Sequence, residues 1–138
     1  MEKNIRLTLT GIQRDESGEE YVTTTHAPGQ FYEKDGVLYL LYEETSRETH
    51  SVTKNKIKLK PKLLELTRRG EINTRMVFEP GKEYLTDYTT PFGSLKMELS
   101  TQNLDIQTER DRLQVRIDYI LSSQGIPVSR CRLTILAE

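Results

Sequence analysis

Apolar residues recur at every second position along most of this chain, and a period of two is the signature of half-buried β-strands. In "NIRLTLTG", Ile5, Leu7 and Leu9 fall on one side, and Arg6, Thr8 and Thr10 on the other. Leu95, Met97 and Leu99 alternate with Lys96, Glu98 and Ser100. Leu113, Val115, Ile117, Tyr119 and Leu121 alternate with Gln114, Arg116 and Asp118. Near the end, Cys131, Leu133 and Ile135 oppose Arg130, Arg132 and Thr134. No window carries a helical stripe. The best candidate, residues 108–113, is too short to stand alone.

Turn chemistry separates the alternating runs. "RDESG", Asp35-Gly36, Pro61-Lys62, Arg69-Gly70, "EPGK", the Pro91-Phe92-Gly93 corner and "SSQG" each combine residues that preset φ or accept the left-handed region. Further breaks are expected at "APG", residues 27–29, and near Gln102. About ten strands joined mostly at hairpin length predict an all-β fold. It is a single antiparallel, mostly up-and-down barrel of roughly 8–10 strands, with residues 1–138 as one domain. Closure removes the exposed edges of such a meander, whereas an immunoglobulin-like sandwich needs longer crossovers.

A chain of 138 residues is the usual size of one domain and long enough for one real core. Its net charge of -1 recruits neither nucleic acid nor an anionic membrane in bulk. Cys131 is the sole cysteine, which excludes an intrachain disulfide and a cysteine metal site. The longest apolar run, "VLYLLY", is far too short to span a bilayer. "MEKNIRLTLTG" lacks the apolar core of a signal peptide, so the expected setting is the cytoplasm, with no membrane partner.

Several short motifs stand together in a telling order: "IRLTLTGIQ", "YEET" at residues 42–45, "RRGE" at 68–71, "MVFEPGK" at 76–82 and "YTTPFG" at 88–93. In their order and spacing the chain resembles the YwiB-like family of small bacterial proteins, a domain of unknown function (number 1934). The resemblance covers nearly the whole chain. It implies a calycin-like (lipocalin-like) β-barrel in a cytoplasmic protein of Gram-positive bacteria, with no established activity and no assigned catalytic residues.

A barrel of this size either fills itself with side chains or holds one small ligand, so polar residues on the inward parity are the ones to weigh. Arg68 shares a face with Leu64 and Leu66. Glu43 shares one with Val37, Tyr39 and Leu41, and Glu44 shares the other with Leu40 and Tyr42, so a glutamate ends the strand on either face. An inward arginine needs an acid partner or an anionic ligand, because an unpaired buried charge is costly. The bland reading puts Arg68 at the barrel mouth, hydrated or paired. Tyr84 and Tyr88 lie on one face and, with Tyr39, Met76 and Phe78, read either as a filled core or as pocket wall. The candidate ligand-binding set is therefore Arg68, Glu43, Glu44, Tyr39, Tyr84 and Tyr88, for a small, partly apolar or anionic molecule.

Lys54, Lys56, Lys58 and Lys60 form an outward row about 20 Å long. A solvated exterior is the simpler reading. The alternative is an interaction module that contacts RNA or an acidic protein, with nucleic acid the less favoured partner because acidic residues match basic ones in number. The chain is expected to be a monomer or a homodimer. His26 and His50 lie in or beside loops without acidic partners at ligand spacing, and Cys131 reads as a small core hydrophobe. Neighbouring carboxylates such as Glu19-Glu20 point to opposite strand faces, and no G-x-S-x-G elbow or phosphate loop is present. No catalytic residue, metal or cofactor is expected.

Overall fold

The computed structural model describes residues 2–90 and 93–138. Ten strands follow in order: β1 (Glu2–Asp15), β2 (Glu20–Lys34), β3 (Val37–Thr45), β4 (Val52–Lys60), β5 (Leu63–Arg69), β6 (Asn73–Phe78), β7 (Glu83–Thr90), β8 (Gly93–Glu109), β9 (Arg112–Ser123) and β10 (Ile126–Ala137). Each pairs antiparallel with its sequence neighbours, and β1 pairs with β10, so the sheet closes into an up-and-down barrel. The expected tight turns form. Asp35 and Gly36 take φ of 53° and 80°, and Gln124 and Gly125 take 51° and 79°, the double positive φ of a two-residue hairpin. Of the expected Pro91-Phe92-Gly93 corner, Pro91 and Phe92 lie outside the described residues; Thr90 and Gly93 face each other in register.

Two expected breaks are not breaks. Residues 27–29 run inside β2, and the reason is a ladder geometry that tolerates proline. Pro28 stands opposite Arg6, whose N–H and C=O both bond to Glu138, the residue just after β10. The Pro28 nitrogen therefore points away from β1, toward β3. Pairing of β2 with β3 starts only at Gly29, so the missing N–H leaves no gap in either ladder. At Gln102 the chain carries a β-bulge within β8. The extra residue shifts the parity: Leu95, Met97, Leu99 and Thr101 face inward before it, and Leu104 and Ile106 after it.

The parity set by these registers puts Leu7, Leu40, Ile57, Leu64, Phe78, Leu99, Val115, Ile117 and Ile135 inside, all essentially inaccessible to solvent. They fill the end of the barrel that holds the β2–β3, β4–β5 and β8–β9 turns. Two seams are thinner than the rest. β6 and β7 share only the pairs Asn73–Thr89 and Thr74–Tyr88. β2 and β3 part beyond Gly29 and Tyr42, which leaves the first half of β2 bonded to β1 alone.

Gly29 lies where the seam begins, and a Cβ there would meet Leu41 O at 2.7 Å and Leu7 Cδ1 at 2.8 Å. The first contact is backbone and cannot yield without moving β3. Gly29→Ala is expected to lower the unfolding free energy by about 1–3 kcal/mol, read from the midpoint of urea denaturation, because overpacking strains a filled interior. An unchanged midpoint would show that the two strands are not held this close.

Candidate functional site

The inward series of several strands change character along the barrel axis. On β1 it runs Leu7, Leu9, Gly11, Gln13; on β2, Ala27, Thr25, Thr23; on β3, Leu40, Tyr42, Glu44; on β4, Ile57, Asn55, Thr53; on β5, Leu64, Leu66, Arg68. Antiparallel registers bring the polar ends of all five to the same mouth. Small residues there leave space: Gly11 carries no side chain, and a Cβ on it would already press on Thr23 Oγ1 at 3.1 Å. The result is a cup of about 430 Å³ above the packed half, lined among others by Tyr42, Glu44, Arg68, Met76, Phe78, Tyr88, Tyr119 and Cys131.

One polar triad stands in its wall. Arg68 Nε donates to Asn55 Oδ1 at 3.2 Å, Asn55 Nδ2 donates to Glu44 Oε1 at 3.3 Å, and Arg68 Nη2 lies 3.5 Å from Glu44 Oε2. Asn55 is buried and opposes Tyr42 and Arg68 on the two neighbouring strands, so it holds both charged groups in place. Arg68 uses Nε and Nη2 in these contacts, and a guanidinium carries five N–H donors. Both ends of the ion pair keep part of their surface at the cup, 27% for Arg68 and 32% for Glu44.

Arg132, held by Asp118 at 2.7 Å, also lines the cup, and the remaining polar groups there are neutral. Burial raises the phenols of Tyr42, Tyr88 and Tyr119 above the ordinary tyrosine range, and Tyr88 donates to Met76 Sδ. Burial also raises the Cys131 thiol, which sits 3.6 Å from Ser129 Oγ and remains un-ionised near neutral pH, unlike an activated nucleophile. The cup therefore presents hydroxyls, the Gln13 amide, the guanidiniums of Arg68 and Arg132 and one carboxylate on an apolar floor.

The six residues proposed from sequence divide cleanly by position. Arg68, Glu44 and Tyr88 line the cup. Glu43 and Tyr39 lie on the outer face. Glu43 is exposed opposite Lys54, and Tyr39 stacks on Tyr32 with ring centroids 4.7 Å apart, Lys58 Nζ standing 6.0 Å from its ring. Tyr84 shares the inward parity of Tyr88 but sits toward the packed end, where its hydroxyl donates to Glu79. Asn55 was missed. It reads as a gap in the lysine row, yet it shares parity with Ile57 and Leu59, and that signal places it inside.

Outside, Lys54, Lys56, Lys58 and Lys60 run along β4, and none of the four has an acid within 4.0 Å among the described residues. Glu65, opposite Lys58, is instead held by Arg75 through two contacts of 3.1 Å, which keep its carboxyl below the usual range. The arginines near the closing seam are partly offset: Asp118 sits 2.7 Å from Arg132 and 3.8 Å from Arg116, and Arg14 meets Glu20. Among the described residues no helix is long and apolar enough to cross a membrane.

Comparison with known proteins places this architecture. No curated protein matches the chain. The crystal structure of the ywiB protein from Bacillus subtilis superposes with a TM-score of 0.86, covering 99% of this chain and 92% of that one at 23% sequence identity, a likeness of fold. The model of a domain of unknown function (DUF1934) matches residues 7–135, from the core of β1 to the core of β10. The chain thus belongs to the DUF1934 family, the YwiB-like proteins.

Proposed function

We propose that the cup binds one small, partly apolar ligand with an acidic head group, and that Arg68 receives the head. The observation that carries this reading is the 430 Å³ hollow with a guanidinium in its wall, held by Asn55 and Glu44 while part of it faces the space. A barrel built only for stability gains nothing from a charged triad above a filled core, since well-packed apolar residues are commonly as stable as a buried ion pair. The calycin-like character implied by the family resemblance fits the same use, one ligand in the mouth of a barrel. Tyr88 and Glu44 complete the polar contacts, and Tyr42 and Tyr119 give walls with hydroxyl tips. Tyr39, Tyr84 and Glu43 stand away from the cup and take no part in it.

Native mass spectrometry of freshly purified protein is expected to show an adduct that Arg68→Gln removes. For an acid that binds, Arg68→Gln is expected to weaken affinity roughly ten- to a hundredfold, the value of a hydrogen bond to a charged group. Full affinity in Arg68→Gln, with its fold intact by circular dichroism, would overturn the assignment of the head.

A second reading rests on the lysine row, which among the described residues has no acid within 4.0 Å and runs beside the stacked Tyr32 and Tyr39. It is an interaction module for an acidic protein or RNA. It predicts binding that falls steeply with salt and drops at least tenfold when Lys54, Lys56, Lys58 and Lys60 are all changed to serine. Retained binding in that variant would remove this face from consideration.

A further inference from the structure

The cup does not end at its polar wall. A second hollow of about 620 Å³ adjoins it, and the two share Gln13 and Tyr88 in their linings. Its floor is Met97 and Leu121, both buried, and its lip is Leu95 and Val128. Two details of the lip bear on its use. Leu95 lies on the inward parity of β8, opposite Tyr88, yet is 56% exposed, so an apolar side chain of inward parity keeps more than half of its surface open. Val128 would face outward with Arg130 and Arg132 if β10 alternated strictly. The register shifts between Pro127 and Ser129, and the bulged valine instead lines the hollow, a use that bulges often serve.

The mouth thus changes in chemistry from side to side. The β3–β5 side carries Glu44, Asn55 and Arg68. The second hollow carries Leu95, Met97, Leu121 and Val128, with Ser94, Ser129 and Gln13 as its only polar side chains, among the described residues, besides the Tyr88 hydroxyl; Gln13 Nε2 donates to Ser129 Oγ at 3.2 Å. We infer that the ligand is an elongated amphiphile, a single-chain carboxylic acid whose head meets Arg68 and whose tail crosses Tyr88 to lie between Leu95 and Val128 over Met97 and Leu121. This inference rests on the acidic-head reading of the cup and adds the class and direction of the ligand. A compact anion would use the polar side and leave the lip wet; a neutral hydrocarbon would fill the lip and make no use of the N–H donors that Arg68 has beyond its contacts with Asn55 and Glu44. Only a molecule with both parts satisfies the two hollows together.

The test is a titration of the full chain with sodium butanoate, hexanoate, octanoate and decanoate, and with 1-octanol, followed by calorimetry. Affinity is expected to rise roughly two- to fourfold per added methylene, as for a tail leaving water, and octanoate is expected to bind at least tenfold tighter than 1-octanol. Leu95→Ser and Val128→Ser, both at exposed positions with little effect expected on folding, should flatten the dependence on chain length and leave butanoate unchanged. If the short and long acids bind equally, or the slope survives both lip variants, the tail assignment is overturned while Arg68 keeps its role. If none of the acids binds, the acidic head falls and the amphiphile with it.

Discussion

The pairing of β1 with β10 is the contact on which the rest of the molecule depends. It joins strands from opposite ends of the sequence through a continuous register from Leu7–Ala137 to Asp15–Ser129. Until it forms, the ten strands are an open meander with two free edges and no enclosed side. Once it forms, each parity becomes an inside or an outside, and Leu7, Leu64, Phe78 and Ile135 converge on one core. The parity of a polar residue such as Arg68 then has a meaning, because its alternatives are the interior or the solvent.

Within that enclosure, composition along the axis decides what is filled and what is open. Bulky aliphatic residues and Phe78 occupy the layers near the β2–β3 turn, and glycine, threonine, asparagine and two charges occupy the layers at the other end. A ten-stranded barrel is wider than side chains of that smaller size can close. The open space is the geometric consequence of putting small and polar residues in the upper layers. The triad of Arg68, Asn55 and Glu44 is tolerated there because its members satisfy one another and keep contact with the mouth.

Much of this was legible in the residues. Strict alternation fixed the strands and the turn dipeptides fixed most of their ends, so a closed antiparallel barrel followed. The errors fell where a local signal has two meanings. Proline and glycine in residues 27–29 usually end a strand, but their effect depends on which neighbour the amide faces, and that is set by Glu138, far away in sequence. Gln102 interrupted a pattern because a bulge moves the parity by one residue. For the site, Arg68 was readable because Leu64 and Leu66 mark its face unambiguously. The choice between Glu43 and Glu44 was not, since "VLYLLY" is apolar on both faces and only the pairing of Tyr42 with Gly29 and Asn55 decides it. Tyr39 and Tyr84 show the limit of composition: an aromatic side chain serves equally in a stack on the outside, a hydrogen bond to Glu79 or a cavity wall.

The two hydrogen bonds between Arg6 and Glu138 tie the last residue of the sequence to the first strand at the packed end of the barrel. The start of β1 and residue 138 therefore lie on the side opposite the cup. A purification tag or a fused domain joined there would leave from the packed end and keep the mouth clear. The same closeness makes the barrel a natural candidate for circular permutation: a short linker from residue 138 to residue 2 and a new opening at Asp35-Gly36 would cut the base once more and leave every wall of the cup continuous.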